Sequence, residues 1–208
     1  MATVISPRVR EYGPESNGIV MTPREFDRAE FVEGWRYELI NGVLVVTPYP
    51  LINERDPNEE LGHWLRNYQE AHPQGSALDA TVNEQTIESR ANRRRGDRVI
   101  WAGLGRLPRK NEKPTIIVEF DSAGRRDRKR DYETKRDEYL KLGVREYWVF
   151  DRFQCTLTVF TASKGKVKKQ VFRETQTYET ELLPGFKLPV ARLLGFANRW
   201  PEAESSED

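Results

Sequence analysis

The sequence predicts an α/β protein, a mixed β-sheet flanked by helices, and three observations carry that prediction. Helix-like and strand-like segments are interspersed along the chain. The run "PTIIVEFD" is apolar on both strand faces, as a central strand covered on both sides must be. "RYELINGVLVV" sets two β-rich runs around Asn41-Gly42, residues that tolerate the positive φ of a tight hairpin.

Taken in order, residues 1–20 read as an N-terminal arm. "MTPREF" opens the first helix, with Thr22 as cap, Pro23 at the first helical position, Glu25 completing a capping box, and Met21 and Phe26 placed as a staple. A hairpin follows over residues 36–47. "RDPNEELGHWLRNYQ" repeats the start signal with Asp56, Pro57 and Glu59, then spaces Leu61, Trp64, Leu65 and Tyr68 along one helical face until His72-Pro73 and Gly75 stop it. "GSALDATVNEQTIES" reads as two short strands, "DRVIWAG" as another, and "PTIIVEFD" as the central one. A charged helix from Asp127 to Leu142 ends at Gly143, and "VREYWVFD" and "TLTVFTA" form adjacent strands. Further strands, a Pro184-Gly185 turn and a short terminal helix complete a domain over residues 21–200, with an acidic tail at 201–208.

At 208 residues the chain suits one domain with a real core. It is 37% apolar and 32% charged, yet its nine Phe, eight Tyr and five Trp exclude a disordered composition. The net charge of +1 says nothing of partners, but its distribution does. Arg90, Arg93, Arg94, Arg95, Arg98, Arg106, Arg109 and Lys110 stand against Asp97 alone, a local pattern compatible with an anionic ligand. The lone Cys155 excludes an internal disulfide, no apolar stretch approaches the roughly 20 residues of a membrane span, and the N-terminus lacks a signal-peptide core. A reducing cytoplasm is the expected compartment. His63 and His72 lack partners at zinc spacing, and no helix-turn-helix or zinc finger is visible.

Strand alternation puts Glu119 and Asp121 on one face with Ile117, and Ile116, Val118 and Phe120 on the other. Two acids projecting from one strand end need a cation, an arginine or open solvent. Asp97 begins a strand with Val99 and Trp101 on its face, and Glu38 shares a face with Ile40. Acids arriving from several strands suit a hard divalent cation, although strand phase does not establish convergence. Asp131, Lys135 and Tyr139 are four apart on one helical face; alone, that is an i,i+4 ion pair with a packing aromatic. Arg125, Arg126, Arg128 and Lys129, like Arg93, Arg94 and Arg95, read either as phosphate contacts or as solvated charge.

The order "YELINGVL", "GDRVIW", "IIVEF", "DYETKRDEYLKLGVREYWVFD" resembles the Uma-two family of restriction endonucleases, a branch of the PD-(D/E)XK nuclease superfamily. The likeness runs from Met21 to Phe160, with "LLPGFKLPV" as the closing segment, and is most specific from Asp131 to Asp151. The resemblance implies a restriction-endonuclease-like mixed β-sheet core flanked by helices, here with an extra N-terminal hairpin and C-terminal strands. It further implies a metal-dependent phosphodiesterase site. Asp97 matches the motif aspartate, Glu119 the second acid, Lys135 a lysine moved onto the following helix, and Glu38 the acid before the hairpin. Asp97 and Glu119 would hold Mg²⁺ or Mn²⁺. The chain departs from the pattern at Gly96, where a proline normally stands, and at Asp121, in the place of the ordinary nuclease lysine. Asp121 is either an additional metal ligand or a charge that perturbs the site.

The expectation is a divalent-metal-dependent endonuclease acting on DNA. Its rivals are a noncatalytic nucleic-acid binder on the same scaffold and a structural or partner-binding domain. Nucleases that cut both strands often act as dimers, so a homodimer is among the expected assemblies, although no heptad or interface pattern supports one directly. No membrane partner is expected.

Overall fold

The computed structural model describes residues 11–121, 130–163 and 166–201. The chain forms two compact units, Met1–Tyr49 with Thr86–Arg95 and Pro50–Gln85 with Gly96–Asp208.

In the first unit, part of the expected arm is structured: β1 (Glu11–Tyr12) pairs in parallel with β2 (Glu30–Phe31). The predicted capping box is present at α1 (Pro23–Phe26), where the Glu25 amide donates to Thr22 Oγ1 at 3.2 Å and the Thr22 amide to Glu25 Oε2 at 2.6 Å. Met21 and Phe26 both pack into a small apolar cluster with Tyr37, Leu39 and Leu44. The hairpin joins β3 (Trp35–Ile40) to β4 (Val43–Pro48), and Asn41 and Gly42 adopt φ of 50° and 79°.

The second unit carries α2 (Ile52–Ala71), then β5 (Leu78–Glu88) and β6 (Arg93–Ala102), two strands whose neighbouring ends belong to the first unit. After β7 (Ile116–Phe120), a π-helical turn (Arg130–Lys135) leads into α3 (Arg136–Leu142). Then come β8 (Glu146–Asp151), β9 (Thr156–Ser163), β10 (Lys166–Arg173), a ribbon of β11 (Thr177–Glu179) and β12 (Lys187–Pro189), and α4 (Val190–Asn198). The strand order is β10-β9-β8-β7-β6, parallel between β7 and β8 and antiparallel elsewhere, with β5 against β6. This is the predicted mixed sheet with helices.

Three local expectations are corrected. Helix α2 starts at Ile52 rather than at Asp56-Pro57, and Pro57 lies inside it. The upstream turn is held by tertiary contacts: Asn53 Nδ2 donates to the carbonyls of Ala197 and Trp200, and Asp56 accepts from Arg199 and Trp200. The two short strands expected over residues 75–89 are one strand, β5, whose only left-handed residue is Glu84, at φ 50°. Strand β6 begins at Arg93 rather than at Asp97: Arg93 pairs with Leu39 of β3, and its guanidinium makes a two-pronged bond to Asp27 and donates to the Ser89 and Asn92 carbonyls.

Every residue of β7 is buried. Ile116, Val118 and Phe120 join Leu61, Leu65, Trp148, Phe150, Leu193 and Leu194 in the main core, each such side chain contributing about 1.5–3 kcal/mol. The opposite face is left for Ile117 and Glu119. Gly143 closes α3 at φ 96°, a conformation that costs glycine least. Among the described residues, no helix is long and apolar enough to cross a membrane.

Candidate active site at the end of the central strand

The β6–β7 register pairs Ile100 with Ile116, Val99 with Ile117 and Arg98 with Val118. One step further Asp97 comes level with Glu119, and there Asp97 Oδ2 accepts the Phe120 amide at 2.8 Å. The Asp97 carboxylate therefore bonds the backbone of the residue next to Glu119, at one end of the second unit's sheet, with the two acids at 6% and 2% exposure.

Helix α2 fixes the backbone beside them. Asn58 Nδ2 donates to the Asp97 carbonyl at 2.8 Å, while Asn58 Oδ1 accepts Arg98 Nε at 2.7 Å. Arg98 Nη2 donates to the Asn58 carbonyl and Nη1 to Thr81 Oγ1. Burial pushes Arg98 down to about 10, which leaves it charged at neutral pH. Gly62 makes room for it, since a Cβ there would lie 2.5 Å from Nη2.

The π-helical turn and α3 supply the cation. Lys135 Nζ donates to Glu119 Oε2 at 2.8 Å, and Tyr139 Oη to Glu119 Oε1 at 3.3 Å. Lys135 is 3% exposed and Tyr139 is fully buried. The predicted shared face of Lys135 and Tyr139 is real, and Glu119 is what it meets. The Asp131 side chain lies outside the described residues.

Asp121 belongs to a neighbouring group. Its amide donates to the Phe150 carbonyl at 2.8 Å, one residue beyond the parallel pair Phe120–Phe150, which brings Asp121 level with Asp151. Both acids are buried. Tyr132 Oη donates to Asp151 Oδ2 at 3.3 Å, and the Gln154 amide to Asp151 Oδ1 at 2.8 Å. Burial, then the charge of Asp151 and, more weakly, that of Asp121, push the Tyr132 phenol well above its ordinary range.

In the first unit, Glu38 Oε1 accepts the Arg95 amide at 2.8 Å. Arg93 and Arg94 are 8% and 2% exposed, whereas Arg95 is half-buried. Arg125, Arg126, Arg128 and Lys129 lie outside the described residues.

Asp97 and Glu119 fit a hard divalent cation by donor chemistry, since both offer carboxylate oxygens. Among the described residues no three His, Cys, Asp or Glu side chains are grouped to hold a metal. Two protein carboxylates with water completing the shell is the arrangement Mg²⁺ favours, because it gives up its hydration reluctantly.

Sequence reasoning missed Asn58, Tyr132 and Asp151. For Asp151 a signal was present: "EFD" and "VFD" end two apolar strands alike, and parallel pairing aligns their aspartates. Asn58 and Tyr132 gave none, because their partners are 39 and 19 residues away.

Comparison with known proteins agrees with this architecture. A crystal structure described as "a putative nuclease belonging to DUF820" from Anabaena variabilis superposes with a TM-score of 0.67 at 14% identity, over 85% of this chain and 99% of that one. At that identity the likeness shows the fold, which is restriction-endonuclease-like. Among curated proteins none matches. The family model Uma2, described as "Putative restriction endonuclease", matches residues 23–191. That span includes Asp97, Glu119 and Lys135 and most of the sequence, and the chain belongs to the Uma2 family.

Proposed function

We propose that this chain is a divalent-metal-dependent endonuclease that hydrolyses DNA phosphodiester bonds, with Asp97 and Glu119 holding Mg²⁺ or Mn²⁺. The observation that carries the reading is that Asp97 bonds the Phe120 amide, next to Glu119, while Lys135 bonds Glu119 itself, where β6, β7 and the π-helical turn adjoin. When bound, such an ion supplies Lewis-acid charge stabilisation and a more acidic water.

The chain's own residues prepare the rest. Lys135 sets a positive charge where the phosphoryl oxygens gain negative charge. Tyr139 orients Glu119 through its hydroxyl. Asn58 and Arg98 lock the backbone that carries Asp97. Glu38, in the first unit, holds the Arg95 amide. Arg95 and the segment bearing Arg125, Arg126, Arg128 and Lys129 contact phosphates, which makes affinity fall with salt. A homodimer would bring a second centre to the other strand of a duplex. A free Cys155 suits a reducing cytoplasm.

The test is incubation of purified protein with Mg²⁺ or Mn²⁺ and supercoiled plasmid, linear duplex, single-stranded DNA or RNA. Cleavage of DNA that disappears in Asp97→Asn and Glu119→Gln supports the reading. No cleavage of any substrate, with salt-dependent DNA binding retained, identifies a noncatalytic binder instead.

A further inference from the structure

We infer that Lys135 is a tethered counter-cation that competes with the divalent ion for Glu119, so that metal binding stays weak until a phosphate group draws the ammonium away. This rests on the reading of Asp97 and Glu119 as metal ligands. Lys135 Nζ lies 2.8 Å from Glu119 Oε2, the two side chains are 3% and 2% exposed, and Tyr139 engages the other carboxylate oxygen. An ion ligated by Oε2 shares that oxygen with the ammonium, and the hydrogen bond lowers the electron density the oxygen can offer the metal. It would also place its two charges beside a buried ammonium, where water screens repulsion poorly. An occupant of like charge is therefore built into the site.

The competitor can also leave. A lysine ammonium sits on a flexible four-carbon stem, and Lys135 is the last residue of a π-helical turn, an irregularity frequent at functional sites. An incoming phosphate offers the ammonium another anion, and the vacated oxygen becomes available to the metal. Metal and nucleic acid then strengthen each other's binding by the same factor, as linkage requires.

Calorimetric titration with Mn²⁺ of the wild type, Lys135→Gln and Lys135→Arg, without nucleic acid, tests the inference. Removing the charge should tighten Mn²⁺ binding by about tenfold or more, whereas the arginine variant should stay within about threefold of wild type. Equal or weaker binding by Lys135→Gln overturns the inference while leaving the metal centre intact. Equal tightening in both variants also overturns it, since altered packing rather than charge would be responsible. Absence of Mn²⁺ binding in every protein removes the metal centre and this inference together. If Lys135→Gln fails to fold, the wild type decides: the Lys135 ammonium signal in a ¹H–¹⁵N spectrum should move as Mg²⁺ saturates the site. An unmoved signal at saturation overturns the inference.

Discussion

Asp97 accepts the amide hydrogen of Phe120 at 2.8 Å, so the candidate metal acid on β6 also clasps the end of β7. The two roles separate by substitution. Asparagine keeps an acceptor oxygen for the amide and removes the charge, whereas alanine removes both. Asp97→Asn should fold within about 1 kcal/mol of wild type while losing DNA cleavage, and Asp97→Ala should lose a further 1–3 kcal/mol or so because a buried amide is stranded. Urea melts and plasmid nicking check the pair. An asparagine variant that still cuts would exclude Asp97 as an essential ligand.

Glu119 and Lys135 form an ion pair almost wholly withdrawn from solvent. Breaking such a pair from one side costs about 3–5 kcal/mol, because the remaining charge is buried without its partner. Lys135→Met should therefore destabilise strongly, and Glu119→Gln combined with Lys135→Met should be markedly more stable than the sum of the single losses predicts. A double-mutant cycle by chemical denaturation measures this coupling. Additive effects would mean that the two charges are not energetically linked.

The difference between what was legible and what was not is one of range. The capping box at Thr22 and Glu25 and the turn at Asn41-Gly42 are written within a few residues, and both formed. Lys135 and Tyr139 were legible as sharing a face, but the acid they meet was fixed only by packing. Helix α2 extended past its proline start signal because Asn53 and Asp56 found partners near the C-terminal end of α4, information that no local window holds. Asp121 was ambiguous for a related reason. Its placement level with Asp151 depends on the parallel register of β7 and β8, which the intervening chain does not encode locally.

Gly62 lets the Arg98 guanidinium lie across α2. A Cβ at this position would come within 2.5 to 2.7 Å of three guanidinium atoms, and Asn58 and Thr81 hold that group in place. Gly62→Ala should cost about 1–3 kcal/mol, as overpacking of a filled interior does, despite the better helix propensity of alanine. It should also reduce cleavage by disturbing the Asn58 contact to Asp97. Thermal melts and nicking rates check both effects; a stabilised variant would mean that Arg98 moves aside freely.

Tyr132 and Tyr178 should lower the stability of the fold in alkali. Burial is the first cause raising both phenols, followed by the charge of Asp151 for Tyr132 and of Glu146 for Tyr178. Tyr178 Oη donates to Glu146 Oε2 at 2.7 Å, so ionising it would set two negative charges in contact inside the core. An unfolded tyrosine titrates at about 10, and across the interval from there to the higher folded value the native state binds more protons than the unfolded one. Stability then falls as pH rises. These two groups should leave stability unchanged between about pH 7 and 9 and lower it progressively above about pH 10. Tyr132→Phe and Tyr178→Phe each remove one titrating group, so each variant should lose some stability at neutral pH with its hydrogen bond, yet decline less steeply in alkali. Urea unfolding across the alkaline range checks the slopes. Slopes identical to wild type would mean that neither phenol is shielded in the folded protein.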